Sequence, residues 1–132
     1  MYVELVTPEG QIWSGDAQRV IAKTLDGDIG VLTGHAPVLG ILAEGSLVRI
    51  LPGESDVAGA TELRAAVDGG FLAVADNRVS ILARQAQLGS EVDRAGAQAA
   101  LDAAEEAAGP DGEETTDVRY FRALLRANSD RA

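Results

Sequence analysis

The stretch Gly27–Leu42, GDIGVLTGHAPVLGIL, carries the only histidine of the chain, His35, with Asp28 seven residues upstream. An acid and an imidazole are the raw material of general-base chemistry, and histidine is a common metal ligand. Both roles need further groups. A metal asks for at least three protein ligands; with no cysteine and one histidine, carboxylates would have to supply the rest, and none cluster beside His35. Catalysis by Asp28 and His35 would need an activated Ser or Thr or a third orienting group, and no such pattern accompanies them. Other readings stand beside an enzyme. His35 can simply be tucked against a Gly-Pro loop by a single hydrogen bond, or the loop around it can hold the small ligand of a stand-alone β-sandwich binding module. Alternatively the loop is an interface. Gly30, Gly34 and Pro37 would fix its path, and Val31, Leu32, Val38, Leu39, Ile41 and Leu42 are more apolar than a free loop requires.

The segments that must hold this loop read as short strands up to Leu88. Tyr2–Thr7 alternates, Thr7-Pro8-Glu9-Gly10 is a turn, and Gln11–Trp13 resumes an extended run. Arg19–Thr24, Leu47–Leu51 and Leu63–Val67 repeat the pattern, while Phe71–Ala75 and Arg78–Ala83 flank the two-residue hairpin signal Asp76-Asn77. Pro52–Thr61 is polar and loop-like. Many short strands between frequent turns predict a sandwich or barrel.

The period changes at Gly89-Ser90. Ser90 is a plausible N-cap, Glu91 and Asp93 suit the first turn, and an Ala-rich helix runs to Ala108, stopped by Gly109-Pro110-Asp111-Gly112. A second helix runs from about Thr116 to Asn128, with Val118, Phe121, Leu124 and Leu125 as its apolar stripe. The two form an αα-hairpin with an Ala-lined seam, which should be only weakly held. The expected organisation is therefore β plus α: a sandwich over residues 1–88 and a helical hairpin over 89–132.

Charge sharpens this division. The 132 residues carry a net charge of −10, which disfavours nucleic acid or an anionic membrane surface as primary partner. Residues 118–132 reverse the sign, with four arginines against Asp130. Arg119, Arg122 and Arg126 share one helix face. No run of 18 apolar residues suggests a membrane span, no secretory leader is visible, and the lack of cysteine fits a reducing compartment.

Three ordered blocks carry a resemblance. Asp26–Leu42 (DGDIGVLTGHAPVLGIL), Thr7–Thr24 (TPEGQIWSGDAQRVIAKT) with its Trp13-Ser14-Gly15 step, and Ala66–Ala83 (AVDGGFLAVADNRVSILA) resemble the epsilon subunit of bacterial F-type ATP synthases. The resemblance implies a β-sandwich of about ten strands followed by two helices, in a non-catalytic subunit without cofactor. It implies that the sandwich binds the gamma stalk and touches the c ring, with Asp28 approaching the polar c-ring loops and Gly34, His35 and Pro37 near the rotor contacts. It implies C-terminal helices that either fold on the sandwich or extend into the alpha/beta catalytic hexamer and inhibit ATP hydrolysis, Arg119, Arg122 and Arg126 meeting acidic segments there. The location implied is peripheral, on the cytoplasmic face of the bacterial plasma membrane, without membrane insertion. Two positions depart from the pattern. Some family members bind ATP through an Ile/Leu-Asp-x-x-Arg-Ala motif; here Val92-Asp93-Arg94-Ala95-Gly96-Ala97 keeps the aspartate as Asp93 but has Gly96 where the arginine belongs. Arg94, about 200° round the helix from Gly96, cannot take its place. Thr33 stands where many relatives have proline.

Overall fold

Strict alternation writes the first strand: in Tyr2–Thr7 (β1), Val3, Leu5 and Thr7 are buried while their neighbours are partly exposed. The computed structural model describes residues 1–53, 61–108 and 115–128. After β1 come β2 (Gly10–Thr24), β3 (Gly27–Leu32), β4 (Val38–Pro52), β5 (Leu63–Ala75), β6 (Arg78–Ala83) and β7 (Ala86–Leu88). A single 3-10 turn (Gly89–Glu91) leads into α1 (Arg94–Ala108) and α2 (Thr116–Ala127).

The strands run in the order β1-β6-β5-β4-β2-β3, and β1 pairs antiparallel with the first half of β2 as well as parallel with β6. The sheet therefore closes on itself as a flattened barrel, a two-layered sandwich. About ten strands were expected and seven are found among the described residues, because three long strands bend where the sequence reads as broken. Register shifts interrupt β2 near Ala17 and Thr24, and β4 between Glu44 and Ser46. Gly45, Gly69 and Gly70 take φ of 60°, 70° and 126° at those bends, so pairing continues through residues that would otherwise mark a strand end. Between the layers lies an aliphatic core including Val3, Leu5, Val20, Val31, Leu42, Val48, Ile50, Leu72 and Ile81. The Asp76-Asn77 turn adopts positive φ at both residues, 52° and 61°, as a tight hairpin requires.

The hairpin helices form a third layer. α2 lies on the outward face of β4 and β5, where Ala66, Tyr120, Ala123, Leu124 and Ala127 are buried together with Val92 and Ala97. Its buried face differs from the expected stripe: Val118 and Leu124 belong to it, Phe121 and Leu125 are only half-buried, and Tyr120, Ala123 and Ala127 complete it. α2 meets the sheet on one side and α1 on another, so it needs small residues as well as large ones. α1 buries only Ala97 and Leu101. The first helix begins at Arg94 rather than after a Ser90 cap, because Ser90 lies in the 3-10 turn and Val92 then turns extended, at φ −73° and ψ 126°; Asn128 Nδ2 donates to the carbonyls of Gly89 and Val92 at 2.8 and 3.4 Å. Thr115 caps α2, its side chain accepting from the Val118 N–H at 3.2 Å. The Gly109–Gly112 stop and most of the polar Pro52–Thr61 loop lie outside the described residues. Among the described residues no helix is long and apolar enough to cross a membrane.

Candidate functional site

The β3–β4 loop is built on backbone bonds. Its His35 N–H donates to Leu32 O at 3.0 Å, and Gly34, at φ 81°, donates its N–H to Asn77 Oδ1 at 2.9 Å. A left-handed residue is needed there, and glycine supplies it without steric cost. His35 Nδ1 lies 2.6 Å from Ala36 O. The loop is thus pinned to the β5–β6 turn at one end of the sandwich, with Leu32 and Leu39 exposed beside it by 58% and 70%.

Asp28 is elsewhere. It sits early in β3, exposed and cross-strand from Lys23, beside the β2–β3 turn. His35 stays at Leu32's end, and the four residue steps of strand from Leu32 to Asp28 alone span about 13 Å. Asp28 and His35 therefore form no catalytic pair, and the four residues Asp28, Gly34, His35 and Pro37 are not one patch but two, at opposite ends of β3. Among the described residues no group of three His, Cys, Asp or Glu could hold a metal ion.

Between these ends runs a feature the sequence reading did not assemble. Val6, Leu82, Phe71 and Ile41 stand in register across β1, β6, β5 and β4, and Leu25 joins them through its N–H to Ile41 O at 2.9 Å. Phe71, Leu82, Ile41 and Leu25 are 51%, 52%, 52% and 69% exposed. Their chain neighbours Leu72, Ile81 and Leu42 point into the core, so the row faces outward. A contiguous apolar band of this kind marks a surface meant to be covered. The signal was present as doubled apolar residues at 41–42, 71–72 and 81–82: a strand with one wet face needs only one of each pair. A hollow of about 320 Å³ beside Phe71 and Leu82 extends the band toward Thr7 and Pro8.

The arginines of α2 are engaged with the chain itself. Arg119 pairs with Glu44 at 3.6 Å, Arg122 with Glu105 of α1 at 3.3 Å, and Arg126 Nη2 donates to Gly45 O at 2.9 Å. With Lys23, Leu25, Asp28 and Ile41, Arg119 and Arg126 line a groove of about 990 Å³ between the β2–β3 turn and α2. Beneath α2, burial holds the Asp68 carboxyl above the usual value despite Arg84, and Glu44 and Asp117 add to the push. Burial, with Asp68 nearby, drives the Tyr120 phenol up to about 12 against its hydrogen bond with Gln85. On the far part of the sheet burial pushes Glu62 up, but Arg49 and Arg19 outweigh it and hold the carboxyl below its usual value. At the helix start, a Cβ on residue 96 would stand 2.6 Å from Asp93 Oδ2. The Asp93 carboxylate thus folds over Gly96 at its own helix's first turn, where the dipole favours an anion. No cationic side chain issues from position 96 to meet a phosphate.

Comparison with known proteins adds context to this geometry. The family profile of the ATP synthase delta/epsilon chain beta-sandwich domain matches residues 1–89. The chain is similar to the ATP synthase epsilon chain of Thermobifida fusca, 48% identical over 128 residues, covering 96% of this chain and 90% of that one. It is similar also to that of Streptomyces avermitilis, 42% identical over 132 residues and covering 99% and 97% of the two. Among solved structures, a chain of the Euglena gracilis mitochondrial ATP synthase (OSCP/F1/c-ring) aligns with TM-score 0.68 at 22% identity, covering 96% of this chain and 80% of that one. A chain of the Tetrahymena thermophila mitochondrial ATP synthase central stalk/c-ring aligns with TM-score 0.61 at 23% identity, covering 95% and 96%. At such identities the structural likeness speaks for the fold.

Proposed function

This chain belongs to the ATP synthase delta/epsilon chain family, as a non-catalytic epsilon-type chain, and from that premise we propose that it is a rotor subunit whose sandwich couples the gamma subunit to the c ring. The observation that carries the reading is the exposed row Leu25–Ile41–Phe71–Leu82, which one apolar partner surface could cover in a single docking event. Gamma is the partner proposed for it. The exposed β2–β3 turn with Asp28 serves the polar loops of the c ring, where a surface carboxylate fixes register more than it adds affinity. The pinned Gly34-His35-Ala36-Pro37 loop extends the rotor contact at the opposite end of β3. Residues 1–88 form the docking body and residues 89–132 the regulatory part, placed at the cytoplasmic face of the plasma membrane by these partners rather than by insertion.

The regulatory half of the proposal is that the hairpin leaves the sandwich, extends along gamma into the alpha/beta hexamer and slows ATP hydrolysis. There Arg119, Arg122 and Arg126 would exchange Glu44, Gly45 and Glu105 for acidic groups of the catalytic subunits. Since their present partners are all within the chain, the arginines serve both states. Their removal would weaken both, so charge alone does not bias the switch toward extension. The test is complex formation: the full chain mixed with purified gamma should co-elute in size-exclusion chromatography, and Leu82→Asp should abolish co-elution while the circular dichroism spectrum stays unchanged. A chain that elutes alone at micromolar concentrations would end the rotor reading.

A further inference from the structure

We propose that the β4 bulge at Glu44–Gly45 is the dock that holds the C-terminal hairpin on the sandwich, and that Glu44 sets how readily α2 lets go. The bulge breaks the β4–β5 register between Glu44 and Ser46, with Gly45 at φ 60°. Gly45 is buried by α2 itself: a Cβ there would collide with Arg119 Cβ and stand 2.5 Å from the Arg119 carbonyl carbon. The helix backbone thus lies directly on the bulge, an approach only glycine permits. Two turns further along, Arg126 closes over the same residue by donating to Gly45 O at 2.9 Å.

Glu44 clamps the beginning of the helix. Its Oε2 accepts from Thr116 Oγ1 at 2.9 Å and faces Arg119 Nη1 at 3.6 Å, while its Oε1 meets Arg84 Nη2 at 3.4 Å. Arg84 is tied in turn to the carboxylate and the carbonyl of Asp68 at 3.3 and 3.1 Å. One carboxylate therefore bridges the sheet to the first turn of α2, where the helix dipole favours its charge. A second contact holds the other end of α2: Gly89 abuts the Ala127 backbone, and Asn128 Nδ2 donates to Gly89 O at 2.8 Å. Gly89 follows the last strand directly, so the chain at this junction is the hinge, and the contacts at Gly45 and Gly89 are the catches that must open. The clamp is soft, since Glu44, Arg119 and Arg84 remain 40%, 45% and 60% exposed and salt screens such pairs.

Its regulatory meaning rests on the function proposed above; the dock does not. The test uses the isolated full chain, with trypsin cutting after Arg119, Arg122 and Arg126 followed by mass spectrometry, and hydrogen exchange in β1 and β6 as the control for the fold. Glu44→Gln should speed cutting two- to fivefold at low salt, and high salt should bring the parent up to the variant. Gly45→Ala should speed it about tenfold or more while β1 and β6 stay protected. Should Gly45→Ala loosen those strands too, Glu44→Gln and the salt series decide alone. Unchanged cutting in Glu44→Gln, with no response of the parent to salt, overturns the dock. Faster cutting in the variants with unchanged ATP hydrolysis by the reconstituted complex leaves the dock standing and removes the regulatory reading.

Discussion

Phe71 and Leu72 are neighbours in β5 with opposite duties, and exchanging each for alanine should separate them cleanly. Leu72 is fully buried in the sandwich core, and Leu72→Ala should cost about 2–5 kcal/mol of folding stability through lost contacts and a residual cavity. Phe71 is 51% exposed. Full burial of such a side chain is worth roughly 1.5–3 kcal/mol, so about half, near 1 kcal/mol, is realised in the free chain and a similar amount remains for docking. Phe71→Ala should therefore lower stability by only about 1 kcal/mol and weaken binding to gamma by about five- to tenfold. Urea unfolding of the isolated chain gives the first quantity, and titration of labelled gamma gives the second. Equal stability losses at the two positions would show that the β5 register assigned to this face is wrong. An unchanged Kd for Phe71→Ala would show that the apolar row is not the covered surface.

Three further outcomes follow from single contacts. Asn77→Gly keeps the left-handed turn but removes the acceptor of the Gly34 N–H; exchange at the Gly34 amide should rise several-fold with little loss of stability. Asp68 carries a carboxyl raised by burial, so the packed protein binds its proton more tightly than the unfolded chain and the charged form costs stability at neutral pH. Asp68→Asn should raise the melting temperature at pH 7, with the gain shrinking as pH falls toward the usual carboxylate value; a gain independent of pH would contradict the assignment. Gly96→Arg supplies the cation missing from the nucleotide motif and displaces only the flexible end of Asp93. Millimolar ATP should give saturable chemical-shift changes over residues 90–126 in that variant and none in the parent, and saturation in the parent would overturn the reading of Asp93.

What could be read in advance was local. The Asp76-Asn77 turn, the Gly-His-Ala-Pro loop and the change of period at Gly89 each announce themselves within a few residues, because turn chemistry and helix periodicity are short-range. The parallel pairing of β1 with β6 joins residues some 76 apart in sequence, such as Glu4 and Ser80, and no local pattern encodes it. Bends at Gly45 and Gly69-Gly70 looked like strand ends, since glycine signals both. Arg119 and Arg126 looked like a basic face because their partners, Glu44 and the Gly45 carbonyl, lie on a distant strand. Asp28 and His35 seemed a pair only because seven residues are few along the chain, whereas an extended strand makes them far in space.

Because β1 is hydrogen-bonded along both edges, to β2 on one side and β6 on the other, a force along its axis meets two ladders in shear. Bonds loaded in this way yield together, not one at a time as in a peeled hairpin. In the rotor role proposed above, a body twisted against its seat would gain from such a layout, because the load is spread over the whole strand.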